Sequence, residues 1–181
     1  MKTNKTMAAV DVYAIDPVHS SITFKVRHMM INHSIGHFNQ FEGEVSFDPE
    51  NMSDFHISVT IQVDSIDTRH KDRDDHLKGA DFFDVENYST ITFNSNSVTE
   101  QNGRYMVSGD LTMKGITKKL SFPVNIEGPV VNAQGQSVIG ITGQITINRQ
   151  SFGISFNKTV ENNVPMVGND VQIDINIEAK K

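Results

Sequence analysis

The sequence predicts an all-β fold, an antiparallel barrel of about eight strands with one short helix. Apolar residues alternate with polar ones along almost the whole chain, which is the period of a strand with one buried face. Turn-forming pairs interrupt the alternation at short intervals, so consecutive strands become antiparallel neighbours. A single charged stretch, 68–79, breaks the rhythm.

The strands follow in order. Ile22, Phe24 and Val26 alternate with Ser21, Thr23, Lys25 and Arg27. The segment from Met29 to Ile35 lacks this pattern and is expected to be a loop. Phe41, Val45 and Phe47 alternate with Gln40, Glu42, Glu44 and Ser46, and Phe55, Ile57, Val59, Ile61 and Val63 form the longest clean set. Asp67 or Thr68 can cap the charged stretch and Gly79 can end it, giving the helix. Beyond it come Ile91 and Phe93; Val107, Leu111 and Met113; Leu120, Phe122, Val124 and Ile126; Ile139, Ile141, Ile145 and Ile147; and Val171, Ile173, Ile175 and Ile177. Asn102-Gly103 suits a type I′ hairpin turn. Asp48-Pro49, Gly128-Pro129, Gln134-Gly135 and Asn162-Asn163 are further breakers.

A chain of 181 residues suits one domain, and no linker divides it. Residues 1–10 are expected to be a flexible segment before a barrel spanning 11–181. The net charge of -6 opposes non-specific binding to nucleic acid, and it opposes docking on an anionic membrane through electrostatics alone. The absence of cysteine excludes disulfides, thiolate catalysis and Cys-based zinc sites. No apolar run reaches the length of a membrane span. The N-terminal lysines are not followed by an apolar core, so a secretory signal is not expected. The expected location of the chain as it stands is cytoplasmic, or periplasmic if a signal has been removed.

The apolar sets must face a common interior, filled by side chains or by a guest. Gly43, Gly109 and Gly143 fall on inward positions, where a glycine either relieves curvature or removes volume from the wall. A long apolar chain in such a space gains about 0.8 kcal/mol per buried CH₂, and needs no catalytic group.

Tyr13–His28, Gly36–Gly43, Arg73–Val85, Gly109–Lys118 and Asn148–Ile154 together resemble the signatures of the bacterial YceI-like proteins, a lipocalin-like family of polyisoprenoid-binding proteins. The resemblance runs from about Tyr13 to Ile177. It departs at Gly79 and Ser89, where the family commonly has Ser and Pro, and at Ser151, where it commonly has Asp. It implies an eight-stranded antiparallel lipocalin-like barrel with an elongated apolar pocket. The implied ligand is a polyprenyl phosphate, an isoprenoid quinone, or a fatty acid or amide; the implied assembly is a homodimer. By motif position Phe24, Phe41, Phe93, Leu111 and Phe152 would line the pocket, with His28 and Arg149 near the head group. No other cofactor, no nucleic acid and no catalysis are implied.

Two alternatives remain at the level of the residues. His28, His33 and His37 lie close in sequence, with His19 before them, and could hold a metal for a hydrolase. Without a His-Glu-x-x-His spacing, the plainer expectation is structural hydrogen bonds for His19 and His28 and solvated side chains for His33 and His37. Similarly, Arg73, Asp74 and His76 are expected to act structurally on the helix. Adjacent Ser20, Ser21 and His19 would point to opposite faces of a strand, so they do not form a nucleophile and base. Lys114–Lys119 is expected to be a solvated hairpin tip. The second alternative is a ligand-free structural barrel with a filled core.

Overall fold

The computed structural model describes residues 10–48 and 50–181. Residues 1–9 of the expected flexible segment, and Pro49 of the Asp48-Pro49 breaker, lie outside the described residues. The strands are β1 (Asp11–Ile15), β2 (Ser21–His28), β3 (Asn32–Phe38), β4 (Phe41–Phe47), β5 (His56–Gln62), β6 (Ile66–Asp67), β7 (Thr90–Gln101), β8 (Arg104–Met113), β9 (Ile116–Val131), β10 (Ser137–Asn148) and β11 (Val167–Lys180); the helix α1 is Lys71–Lys78.

A closed antiparallel ring of eight strands forms the barrel, in the order β1-β4-β5-β7-β8-β9-β10-β11, and β11 returns to β1 through Ala14↔Lys180 and Ile15↔Ala179. β11 is long enough to pair twice. Its end meets β1, and its first part meets β2 from Val167↔His28 to Asn176↔Ser21. β1 and β2 are therefore two arms of one wall position, bent at residues 16–20, and β3 and β6 extend that arm. The inward parity is the one the alternation predicts: Val45, Val107, Ile139, Ile141 and Ile177 are among the most buried side chains. Closure removes most of the unpaired edge that an open sheet would expose.

Three local expectations change. Met29–Ile35 is not a loop throughout, because Asn32–Phe38 is β3. Its inward positions, Asn32, Ser34 and Gly36, carry no apolar signal. Gly128-Pro129 does not break a strand; β9 runs through it with a register shift opposite Val138 and Gly140, as a bulge does. The helix cap is His70, whose Nδ1 accepts from Arg73 N–H at 3.4 Å, rather than Asp67 or Thr68. Asn102-Gly103 is left-handed at both residues, φ 54° and 76°, as a type I′ turn requires.

The inward glycines do not open the interior. A Cβ on Gly43 would lie 2.1 Å from the Ser58 carbonyl oxygen and 2.9 Å from Ile15 Cδ1. On Gly109 it would lie 2.6 Å from Phe93 Cζ, and on Gly36 2.4 Å from Phe24 Cζ. Aromatic rings cover the latter two glycines, and close backbone approach acts at Gly43 and also at Gly109, where the Asn94 carbonyl oxygen would lie 2.5 Å away. Gly43→Ala is expected to cost about 1–3 kcal/mol in urea unfolding, because the clash is with backbone and cannot be relieved by a rotamer. Gly140→Ala, where a Cβ meets nothing within 4 Å, is expected to leave the midpoint nearly unchanged.

Candidate functional site

Two apolar chambers lie in tandem along the barrel axis. The upper, at the α1 end, has a volume of about 130 Å³. The lower, of about 90 Å³, lies toward Phe55, Val107 and Ile177. Ile22, Ile61 and Ile173 line both and form the waist between them. Every lining residue of the lower chamber is apolar; in the upper one only Thr23 and Arg149 are polar. A dry cavity of roughly 150 Å³ lined by aliphatic and aromatic groups accepts a benzene-sized guest. By that measure the two chambers as they stand suit a chain of about nine carbons.

α1 and the turn after it cover the upper end. Leu77 is the sole apolar residue of the helix and lines the upper chamber with Phe82 and Phe83. The helix is fixed through Thr68, whose N–H and hydroxyl both donate to Asp74 Oδ1 at 2.9 and 2.6 Å. Arg73 Nε donates to the same hydroxyl and Nη2 to the Thr68 carbonyl, each at 2.8 Å. Arg73 and Asp74 are thus structural, as their placement on a charged helix predicts. His76 Nε2 lies 3.0 Å from Asp81 Oδ2, and its ring meets Phe82 and Phe156 edge-on at 5.0 and 4.9 Å. Phe24, Phe38 and Phe83 continue the aromatic cover at 5.7 and 6.1 Å.

Arg149 is the one charged residue on the lining. It begins a short 3-10 turn, Arg149–Phe152, at the end of β10, and is only 4 % exposed. Nε donates to the Gly168 carbonyl at 2.8 Å. Nη1 donates to the carbonyls of Ile154 and Phe156, both at 2.8 Å, and Nη2 to Asn169 Oδ1 at 3.4 Å. Burial pushes the guanidinium below its ordinary value, although an arginine stays charged at neutral pH. Among the described residues it has no carboxylate partner, since the salt bridges involve other groups.

The other residues expected at the site divide. Phe24 and Leu111 line the upper chamber and Phe93 the lower. Phe41 is in the core opposite Ile61, and Phe152 is fully buried in the 3-10 turn; neither lines a chamber. His28 ends β2 opposite Asn32 and Val167, outside the lining. Phe38, Leu77 and Ile154 were missed as lining residues. Leu77 was recoverable, because the only apolar residue of a charged helix must face the barrel.

A polar cleft of about 510 Å³ lies outside the wall near Arg104, Asn125, Gln144 and Asp174. It marks where β9 changes partner. β9 pairs with β10 only from Val124 to Val131, while Ile116–Val124 pairs with β8. Pro123 lacks the N–H that would continue the β10 ladder.

The histidines do not assemble a metal centre from His28, His33 and His37. Register places His28 opposite Asn32, His33 opposite Arg27 and His37 opposite Thr23, so His28 points to the opposite sheet face from the other two. His37 is not simply solvated, since its Nε2 lies 3.6 Å from Asp67 Oδ2. Among the described residues the one group with metal-like spacing is Asp16, His19 and Glu178. There Lys180 Nζ already sits 3.0 Å from Asp16 Oδ2, and Asp16 Oδ1 accepts from Val18 N–H at 3.0 Å. This constellation braces the bend between β1 and β2.

The bend titrates. The hydrogen bond to Asp16, then the Glu178 charge, raises His19 above the usual histidine value. His19, Lys180 and the Val18 N–H hold Asp16 well below the usual carboxylate range. A raised His19 stabilises the fold below its unfolded value, and that contribution fades as pH rises through the folded value. The depressed Asp16 contributes above the ordinary carboxylate value and is lost as pH falls through its folded one. Histidine NMR titration is expected to place His19 above an ordinary histidine, and Asp16→Asn to bring it back down.

Comparison with known proteins agrees with this architecture. The sequence model of the YceI-like domain matches residues 13–179. The UPF0312 protein SA2479 of Staphylococcus aureus is 38 % identical over 167 residues, 92 % of this chain and 95 % of the relative. Among solved structures, Burkholderia cenocepacia BcnA superposes with a TM-score of 0.80 at 26 % identity, covering 91 % of this chain and 99 % of that one. The Campylobacter jejuni YCEI protein superposes with a TM-score of 0.73 at 25 % identity, covering 100 % and 97 %. A polyisoprenoid binding domain from Saccharophagus degradans shares the fold, with a TM-score of 0.72 at 13 % identity over 93 % and 97 % of the two chains. With an extended apolar interior inside a closed eight-stranded barrel, and a family match over nearly its full length, the chain belongs to the YceI-like domain family.

Proposed function

We propose that the barrel binds one long-chain amphiphile, with an isoprenoid or acyl tail in the tandem chambers and its head toward Arg149. The observation that carries this reading is the pairing of two chambers, apolar but for Thr23 and Arg149, with the buried guanidinium of Arg149 at their α1 end, which has no carboxylate partner among the described residues. A tail of about nine carbons gains about 7 kcal/mol at 0.8 kcal/mol per CH₂. Micromolar binding corresponds to about 8 kcal/mol, so the head group supplies the rest and offsets the cost of ordering the chain. The guanidinium favours an anionic or strongly accepting head, such as a prenyl phosphate, a carboxylate or a quinone carbonyl. The Saccharophagus domain of the same fold is described as polyisoprenoid binding, which supports an isoprenoid tail here.

The reading is of a carrier or sequestering protein. A hydrolase would need the histidine cluster that the β2–β3 register separates. Organic extraction of the purified protein followed by mass spectrometry tests the proposal. The expected result is a near-stoichiometric long-chain lipid, or uptake of prenyl phosphate, quinone or fatty amide by lipid-free protein. Neither a retained lipid nor uptake of any of these would sink it.

A further inference from the structure

The turn between β2 and β3 is built from residues that neither the core nor the backbone favours. Ile31 N–H donates to the His28 carbonyl at 3.1 Å, and Met29 and Met30 between them have φ of 47° and 59°. Left-handed backbone at both central positions suits Asn-Gly and strains other side chains. The equivalent turns at Asn102-Gly103 and Lys114-Gly115 each use a glycine. Here the strained pair is Met-Met, and the apolar side chains around it face water: Met30 is 43 % exposed, Ile31 77 % and Ile35 62 %. Strain and exposed apolar surface held together at a tip point to a contact made elsewhere.

Charge is segregated on the same hairpin. From Pro17 to Phe41 the chain contains no carboxylate, although its net charge is -6. Lys25 pairs across the ladder with Ile35 and Arg27 with His33, so these residues share the outer face. Arg27 Nη2 donates to the Met30 carbonyl at 2.6 Å, which lays the guanidinium against the tip. Among the described residues neither Lys25 nor Arg27 is in a salt bridge. On the neighbouring β11, Asp174 is engaged by Gln144 and Gln172. The hairpin also borders the cavity, since Val26 and Val167 line the upper chamber and Val167 pairs with His28.

We propose that Met30 and Ile31 insert into the surface of an anionic lipid bilayer while Lys25 and Arg27 meet its phosphates, setting the α1 end of the barrel on the membrane. The purpose of this contact, loading or delivering the guest, rests on the function proposed above; the docking itself does not. The overall negative charge repels such a surface, so binding depends on this local segregation and is sensitive to salt. A second copy could instead add to the β3 edge, which among the described residues lacks an outer partner from Asn32 to Gly36. That pairing would bring two cationic hairpins together, and the membrane is the better match.

The chain has no cysteine, so Ile31→Cys can carry a single polarity-sensitive fluorophore. Val131→Cys, another exposed apolar site beyond the lower chamber, is the control. With vesicles of phosphatidylglycerol and phosphatidylcholine, the label at 31 is expected to shift to the blue and the label at 131 to stay unchanged. Co-sedimentation is expected to fall about tenfold or more in Lys25→Gln/Arg27→Gln and in Met30→Ser/Ile31→Ser, and to weaken on neutral vesicles. Folding of each variant is checked by its melting curve, and lipid content by extraction. Equal shifts at both positions, no sedimentation, or a shift at 31 that follows protein concentration without vesicles would overturn docking; the last would indicate a second copy. Docking without any extractable or exchangeable lipid would instead remove the proposed function and leave the docking standing.

Discussion

Ile61→Phe is expected to weaken binding of a long-chain amphiphile by about 100-fold or more, while hardly affecting a short one. Ile61 lines both chambers, with Ile22 and Ile173, where the two adjoin. A larger ring there closes the way from the upper chamber to the lower. A tail that loses the lower chamber loses burial of about four carbons, roughly 3 kcal/mol at 0.8 kcal/mol per CH₂. At about 1.4 kcal/mol per tenfold this is a little over 100-fold. An amphiphile with about five tail carbons fits the upper chamber alone and should bind within a few-fold of wild type. Overpacking costs the fold about 1–3 kcal/mol, and the adjacent cavities take up some of that strain. Ile173→Phe, from the opposite side of the waist, should give the same split between long and short guests. Titration with a homologous series of prenyl or alkyl phosphates checks it. Equal losses for short and long tails would place the guest outside this axis.

What could be read beforehand depended on whether the fold writes itself into residue types. β5 and β11 alternate cleanly because one face is core throughout, and Ile57, Val59, Ile61 and then Ile173, Ile175, Ile177 appear at every second position. β3 left no such trace. Only Phe38, at its end, is apolar and inward; the inward residues before it are small or polar, and the apolar surface that fills the space above Gly36 belongs to Phe24 on the next strand. β1 was missed for a related reason: it has only five residues, and its burial is carried by Tyr13 and Ile15. The glycines misled in the opposite direction. An inward glycine in a sequence cannot say whether its missing volume is empty or occupied by a neighbour, and at Gly43 and Gly109 it is occupied. The cavity was legible only as an excess of inward apolar positions. Its division at Ile22, Ile61 and Ile173, three residues from distant parts of the chain, is a property of the closed ring.

Arg149 carries the other large effect, because stability and recognition both pass through it. Its guanidinium donates to the carbonyls of Gly168, Ile154 and Phe156, which ties the segment after β10 to the start of β11. Arg149→Met removes three charge-assisted hydrogen bonds, each worth about 1.5–3 kcal/mol, and leaves three buried carbonyls to find other partners. Against this, it also removes the cost of keeping a cation out of water without a carboxylate beside it. The first effect is summed over three bonds and the second is a single desolvation already softened by those carbonyls, so the net is expected to be a loss of about 3 kcal/mol. For a chain of this size that lowers Tm by roughly 6–12 °C. Arg149→Lys keeps the charge but replaces a planar fork with a point charge that cannot serve three divergent carbonyls, so its loss should fall between wild type and Arg149→Met. The two variants then separate structure from recognition. If the head group is held by charge, folded Arg149→Lys should retain a preference for prenyl phosphate over the matching alcohol, and Arg149→Met, measured well below its melting point, should lose it. Loss of the preference in neither variant would assign Arg149 to the scaffold alone and move the head group to another part of the α1 end.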